Sequence, residues 1–255
     1  MQSSAQKIVQ GLPTVQGLPA IEETALFLDL DCTLVDLAAQ PDAINVPGDL
    51  TDLLGHLAAR LQGAVALVSG RSVNVLAAFV PGYSGVIVGG HGAEWRINGQ
   101  ITQHALTGQD VVADLIRRAE GFAARHPGVL VEPKPAGVVL HYRACPEYEP
   151  AARDAALTMV RDTVGFEMHP AKMAYELRPA DVGKDKALRW LLQTPPFAGR
   201  LPVMSGDDAT DEPAMQLARD RGGMAVKVGA GDSCADFTVD TPAEWHALLR
   251  KWSRG

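Results

Sequence analysis

Short apolar runs punctuate the first hundred residues, and each breaks off into polar or glycine-rich chain. Residues 25–30, 64–68 and 85–88 are such runs, of strand length and too short for helices. Between the first two, Leu50, Leu53, Leu54, Leu57, Ala58 and Leu61 recur at helical spacing across 48–61. A shorter helix is predicted over 73–79, stopped by Pro81. This β-α-β-α-β alternation predicts a parallel sheet with helices on both faces, whose ligands gather at the carboxyl ends of the strands.

The texture changes after the third run. Residues 110–125 and 148–164 read as helices, and each precedes a strand pair. The first pair, 129–132 and 138–142, surrounds Lys134-Pro135-Ala136-Gly137. The second, 166–169 and 173–177, surrounds Pro170-Ala171-Lys172. Helix, hairpin, helix, hairpin predicts a small α+β domain at 107–178. After Pro179 the first rhythm resumes, with helices at 184–192, 212–220 and 242–252 and strands at 201–204 and 224–228. The expected organisation is an arm over 1–20, a core over 21–106, the small domain over 107–178, and a second core segment over 179–255. The fold class is α/β: a Rossmann-like parallel sheet interrupted by an α+β insertion.

Composition narrows the function classes. The net charge is −7, and no basic patch interleaved with aromatics appears, so nucleic acid is not an expected partner. No apolar stretch approaches the roughly 18 residues of a membrane span. The first twenty residues lack the pattern of a secretory signal. Cys32, Cys145 and Cys234 have no metal-ligand spacing and are odd in number, which suits reduced thiols and a cytoplasmic location.

The acids are not scattered evenly. Asp29 and Asp31 follow the first apolar run, and Asp207, Asp208, Asp211 and Glu212 follow a later one. Each group alone is compatible with an acid-rich turn or helix start. Placed together at strand ends of one sheet, they form a hard oxygen site suited to Mg²⁺ rather than zinc. Asp29 and Asp207 are the expected direct ligands, with Asp211 close by through water. A carboxylate beside a cation can attack phosphorus, which assigns Asp29 as nucleophile and Asp31 as the acid and base two residues on. Ser69 and the Gly70 N–H can hold phosphoryl oxygens, and Lys184 can counter the remaining charge.

DLDCT (29–33), LVSGR (67–71), Lys184 and GDDATDE (206–212) occur in the order of the four motifs of haloacid-dehalogenase phosphatases, and the chain resembles that superfamily. More narrowly, GGHGAEW (89–95), EPKPAGVVLHYR (132–143) and AKMAYELRP (171–179) resemble the trehalose-6-phosphate phosphatase family. The likeness implies a small cap inserted in the core and hydrolysis of trehalose 6-phosphate through an aspartyl phosphate, in trehalose synthesis. It also implies Mg²⁺ as cofactor, with Asp31 adding its backbone carbonyl to the ligands Asp29 and Asp207, and with Asp208 and Asp211 as supporting acids. By the same likeness, Glu132, Lys134, Lys172 and Glu176 meet the sugar hydroxyls, while Arg71 and His91 stand at the mouth of the site. His141, in an apolar strand, is expected to be a structural hydrogen-bonding histidine. The expected partner is a small sugar phosphate, and the expected state a monomer or weak homodimer.

The chain departs from the family at two positions. Cys32 and Asp185 stand where glycine is usual, and glycine tolerates backbone conformations that other residues do not. The competing readings are a phosphatase for sucrose 6-phosphate or mannosyl-3-phosphoglycerate, and a non-catalytic sugar-phosphate sensor.

Overall fold

In the computed structural model, residues 9–10, 17–36 and 46–254 are described. Most of the expected arm over 1–20 lies outside them. The chain divides into two compact units, the smaller formed by Thr102–Gly183 and the larger by the chain on both sides of it.

The larger unit is built on a nine-stranded sheet. Its strands are β1 (Val9–Gln10), β2 (Thr24–Leu28), β3 (Val65–Val68), β4 (Val86–Gly89), β5 (Glu94–Ile97), β6 (Gln100–Gln103) and, after the small unit, the strands called β11 (Leu201–Gly206), β12 (Met224–Val228) and β13 (Phe237–Val239). Its helices are α1 (Leu50–Arg60), α2 (Val73–Phe79) and three later ones, α5 (Lys184–Leu191), α6 (Glu212–Asp220) and α7 (Pro242–Arg254). The strand order is β1-β13-β12-β11-β2-β3-β4-β5-β6. Every residue of β2, β3 and β4 is buried, as a parallel sheet covered on both faces requires. Helix α1 turns Leu50, Leu53, Leu54 and Leu57 inward, each contributing roughly 1.5–3 kcal/mol by leaving water.

The chain runs from β2 outward through β3 and β4, then returns to add β11 on the other side of β2. That reversal places a switch point at the carboxyl end of β2, where ligands of such sheets bind. It also sets Asp29, Ser69 and Asp207 beyond the ends of three adjacent strands, β2, β3 and β11.

The expected parallel core is present, and the sheet adds two strands at one edge that the sequence reading did not include. After β4 the chain turns straight back as β5, antiparallel to it, and then as β6. The β5–β6 turn is Asn98-Gly99, with φ of 51° and 76°. Asn-Gly supplies the left-handed pair of a tight hairpin, a signal that the apolar-run reading passed over because β5 and β6 lack strong alternation.

The smaller unit contains α3 (Asp110–Ala123), β7 (Leu130–Lys134), β8 (Gly137–His141), α4 (Glu149–Arg161), β9 (Phe166–Ala171) and β10 (Ala174–Pro179). Its sheet is antiparallel in the order β7-β8-β10-β9. The strands run further than the sequence suggests, so Lys134 ends β7 and Lys172 lies at the tip of the β9–β10 hairpin, beside Met173 at φ 58°. One face packs Val138, Leu140, Phe166, Tyr175 and Leu177 against Leu115, Phe122, Ala152 and Met159 of the helices. The register puts Glu132, Val139, Glu176 and His169 in one row of the other face, next to the row of Lys134, Gly137, Arg178 and Glu167. Among the described residues, no helix is long and apolar enough to cross a membrane.

Candidate active site

Asp29 leaves the end of β2 with its backbone N–H donating to the Ser205 carbonyl of β11, 3.0 Å away. Only 3% of the residue remains exposed. Its Oδ1 accepts from the Lys184 ammonium at 2.8 Å and its Oδ2 from the Thr33 hydroxyl at 3.1 Å. Both oxygens are therefore held, and the carboxylate has a defined plane. Lys184, at the start of α5, is also buried and donates to Asp211 Oδ1 at 2.6 Å.

Asp211 acts as a brace. Its Oδ2 accepts from the backbone N–H groups of Asp207 and Asp208 at 3.2 and 3.3 Å, fixing the turn after β11. A Cβ on Gly206 would run into the Asp211 carboxylate, so only glycine admits this packing. Asp208 is tied sideways to Thr210, accepting from its N–H at 2.8 Å and its hydroxyl at 2.7 Å. Lys227, a buried cation on β12 that the sequence reading missed, donates to the Asp207 carbonyl. A lysine inside an apolar strand was the available signal, because an ammonium is buried only when paired.

The carboxylates of Asp29, Asp207 and Asp211 lie within 4.8 Å of one another. Burial pushes Asp29 well above the usual carboxylate range, against the pull of Lys184. Burial, then the Asp208 and Asp211 charges, raises Asp207 to about 7. Burial alone would lower the Lys184 ammonium, but Asp211 and Asp29 outweigh it and hold the group above the ordinary lysine range. Asp29, Asp207, Asp208 and Asp211 face two buried ammonium groups, Lys184 and Lys227, and a divalent cation would relieve the excess. The all-oxygen donor set fits a hard ion. Asp211 accepts three hydrogen bonds, two of them from the backbone turn it braces, against two on Asp29, so it is the acid most committed to holding the protein together.

Asp31 is outside that cluster. The Arg71 guanidinium grips its carboxylate in a fork, Nε to Oδ2 and a terminal nitrogen to Oδ1, both at 2.8 Å. Arg71, placed by the resemblance at the mouth of the site, thus spends two donors on Asp31; its Cζ sits 5.3 Å from the centre of the Phe79 ring. No local pattern links positions 31 and 71, so the sequence reading had no signal for this pair. Ser69 is buried beyond β3, its hydroxyl oxygen accepting from the Arg71 N–H at 3.2 Å. His91 adopts a left-handed φ of 55° and donates its N–H to the Ser69 carbonyl at 2.9 Å. Its ring lies so near Gly70 that a Cβ there would approach Nε2 to 2.5 Å, and a side chain at 70 would require the ring to move. Cys32 also has a left-handed φ, 55°, which explains why glycine is usual there. Burial, with the charges of Asp207, Asp31 and Asp29, pushes its thiol up to about 12. Asp185, the other departure, is paired with Lys186 at 3.2 Å.

In the small unit, Glu132 takes hydrogen bonds from Lys134 and His141, the latter at 2.9 Å, so His141 serves as a hydrogen-bonding residue. The His141 bond, opposed by burial and helped by Lys134, lowers Glu132 to about 2. Glu176 is buried on the same face, beside Arg178. Lys172, at its hairpin tip, stands apart from these pairs in the sheet register.

Residues 27–243 match the family model described as trehalose-phosphatase. The trehalose-6-phosphate phosphatase of Escherichia coli (strain K12) is 35% identical over 227 residues, covering 88% of this chain and 85% of that protein. The probable trehalose-phosphate phosphatase of Sinorhizobium fredii is 36% identical over 218 residues, covering 82% and 79%. A solved structure of a trehalose-6-phosphate phosphatase related protein superposes with a TM-score of 0.72 at 29% identity, covering 90% of this chain and 96% of that one. With Asp29, Asp211 and Lys184 arranged on that fold, the chain belongs to the trehalose-phosphatase family of the haloacid-dehalogenase superfamily.

Proposed function

We propose that this chain hydrolyses trehalose 6-phosphate to trehalose and inorganic phosphate with Mg²⁺ as cofactor. The observation that carries the reading is Asp29, buried, oriented by Lys184 and Thr33, and clustered with Asp207 and Asp211. Asp29, Asp207 and the Asp31 carbonyl would hold the ion, which when bound supplies positive charge against the phosphoryl oxygens.

The protein's own groups carry the steps. An Asp29 oxygen forms a bond to phosphorus as the bond to the sugar oxygen breaks, and Asp31 gives its proton to the leaving alkoxide. Asp31, now ionised, takes a proton from water, whose oxygen attacks the acyl phosphate and releases phosphate with Asp29 restored. The Arg71 fork keeps the Asp31 carboxyl group in place through both halves. Lys184 balances charge on Asp29 and on the transferring group, and Ser69 with the Gly70 N–H receives phosphoryl oxygens. Glu132, Lys134, Lys172 and Glu176 offer the charged acceptors and donors that sugar hydroxyls need.

Two measurements test this. Single-turnover hydrolysis in ¹⁸O-water is expected to leave label in the Asp29 carboxylate, and label reaching only phosphate in that turnover would remove the covalent route. A panel of phosphorylated mono- and disaccharides is expected to rank trehalose 6-phosphate first by kcat/KM. A higher value for sucrose 6-phosphate or a monosaccharide phosphate would overturn the substrate assignment.

A further inference from the structure

The polar face of the small unit contains a side chain that the sugar-binding assignment leaves out. Arg178 lies two residues from Glu176 on β10, so both project from the same face. A guanidinium nitrogen of Arg178 donates to Glu176 Oε2 at 2.8 Å, and the two side chains are only 10% and 8% exposed. Across the sheet, Glu176 shares its row with Glu132 and His169, while Arg178 shares its row with Lys134 and Glu167. The intervening β8 positions are Val139 and Gly137, which put no charge between them. Two carboxylates thus stand roughly 10 Å apart in one row and two cations in the next, given the spacing of strands.

Burial of Glu176 favours its neutral acid, and Arg178, then Lys134, pull the other way while Glu132 pushes with burial. The ionised carboxylate offers both oxygens as strong acceptors to sugar hydroxyls, whereas the neutral acid turns one of them into a donor. Arg178 is the cation in direct contact. Its Nε–H is buried without a partner among the described residues, a donor that a ligand oxygen would satisfy.

We propose that Arg178 is a positioning and specificity-determining residue: it holds Glu176 ionised and aimed, so that the pair presents an acceptor and a donor to neighbouring hydroxyls of the sugar. This rests on the sugar-phosphate reading of the site. It adds to that reading a cation in contact that opposes the upward push of burial on the Glu176 carboxyl.

The test compares wild type, Arg178→Met, Arg178→Lys, Glu176→Gln and the double variant Glu176→Gln/Arg178→Met, with circular dichroism to confirm folding. Each is assayed on the sugar phosphate that the wild type prefers and on p-nitrophenyl phosphate. Arg178→Met is expected to lower kcat/KM at least tenfold on the sugar phosphate, mostly through KM, and less than twofold on the small ester. Its loss should deepen as pH falls, because Glu176 then takes a proton, whereas Arg178→Lys should restore the wild-type profile with part of the affinity. The double variant should lose less than the two single losses combined, because Arg178 then has no carboxylate left to hold, and Arg178→Lys keeps the comparison open if Arg178→Met folds poorly. Equal losses on both substrates, additive losses in the double variant, or an unchanged sugar-phosphate KM would each overturn the proposal. A wild type that prefers the small ester would instead sink the sugar-phosphate reading, and equality among the variants would then sink this proposal too.

Discussion

The protein contains two charged networks of opposite design. In the larger unit, Asp29, Asp207 and Asp211 converge within 4.8 Å on one lysine shared by two of them. In the smaller unit, Glu132 is matched by Lys134 and His141, and Glu176 by Arg178. The first network keeps an excess of negative charge that its own residues do not neutralise. The second is balanced pair by pair. An unbalanced cluster stores affinity for a cation, and through that cation for an anionic group, whereas balanced pairs hold acceptors and donors still enough to read neutral hydroxyls.

The largest expected effect follows from breaking the unbalanced network at its centre. Asp29→Asn retains the shape and the Thr33 contact but removes the nucleophile, so turnover should fall by about 10⁴-fold or more, comparable to loss of a catalytic triad member. Thermal unfolding should stay cooperative, and activity within tenfold of wild type would refute the assignment. Removal of divalent metal comes next. Exhaustive chelation should abolish hydrolysis and Mg²⁺ should restore it, while added Mg²⁺ raises the melting temperature because it binds only the folded cluster. Ca²⁺, with its looser shell, should inhibit. Undiminished rates in chelator would exclude the metal role.

Breaking the balanced network should cost less and act selectively. Glu132→Ala or Lys134→Ala should lose about 1–3 kcal/mol of kcat/KM on the disaccharide phosphate, the cost of an unpaired polar partner. p-Nitrophenyl phosphate should be affected much less, and equal losses would mean that these residues organise the fold instead. The same pair has a pH signature. Folding lowers Glu132 from 4.5 to about 2, so its stabilising contribution is full above 4.5 and disappears as pH falls through 2. The urea midpoints of wild type and Glu132→Gln should therefore differ at pH 6 and converge toward pH 2. A gap that widens with acid would contradict the pairing.

The smallest expected effect concerns Cys32, at the edge of the unbalanced cluster. Cys32→Gly relieves a left-handed φ but frees the unfolded chain, and the two terms nearly cancel at about 0–1 kcal/mol of added stability. The value of kcat should change only modestly. A hundredfold gain, about 2.7 kcal/mol in barrier, would show that the cysteine cripples the site and would favour the sensor reading.

Much of this was legible in the chain. Helix α1 declared itself by its leucine spacing, and the carboxylates stood out because they follow apolar runs that end in a sheet. The β5–β6 hairpin was missed although Asn98-Gly99 was in view, since neither strand is long or alternating enough to outweigh a loop reading. The Arg71 fork on Asp31 had no local trace, and Lys227, conspicuous in an apolar strand, gave no sign that its partner is Asp207, because each contact joins distant positions whose approach depends on strand order.

By itself the sequence determined the α/β rhythm, the interruption by an α+β insertion, and which acids lie at strand ends. These follow from periodicity and from where apolar runs stop, both properties of neighbouring residues. Only the tertiary structure decided how those residues divide the work. It gave Asp211 to bracing the 207–208 turn and Lys184, Asp31 to the Arg71 fork, and Arg178 to Glu176. Such assignments depend on which lone pairs are already filled, and that is settled by burial and by contacts between residues far apart in the chain.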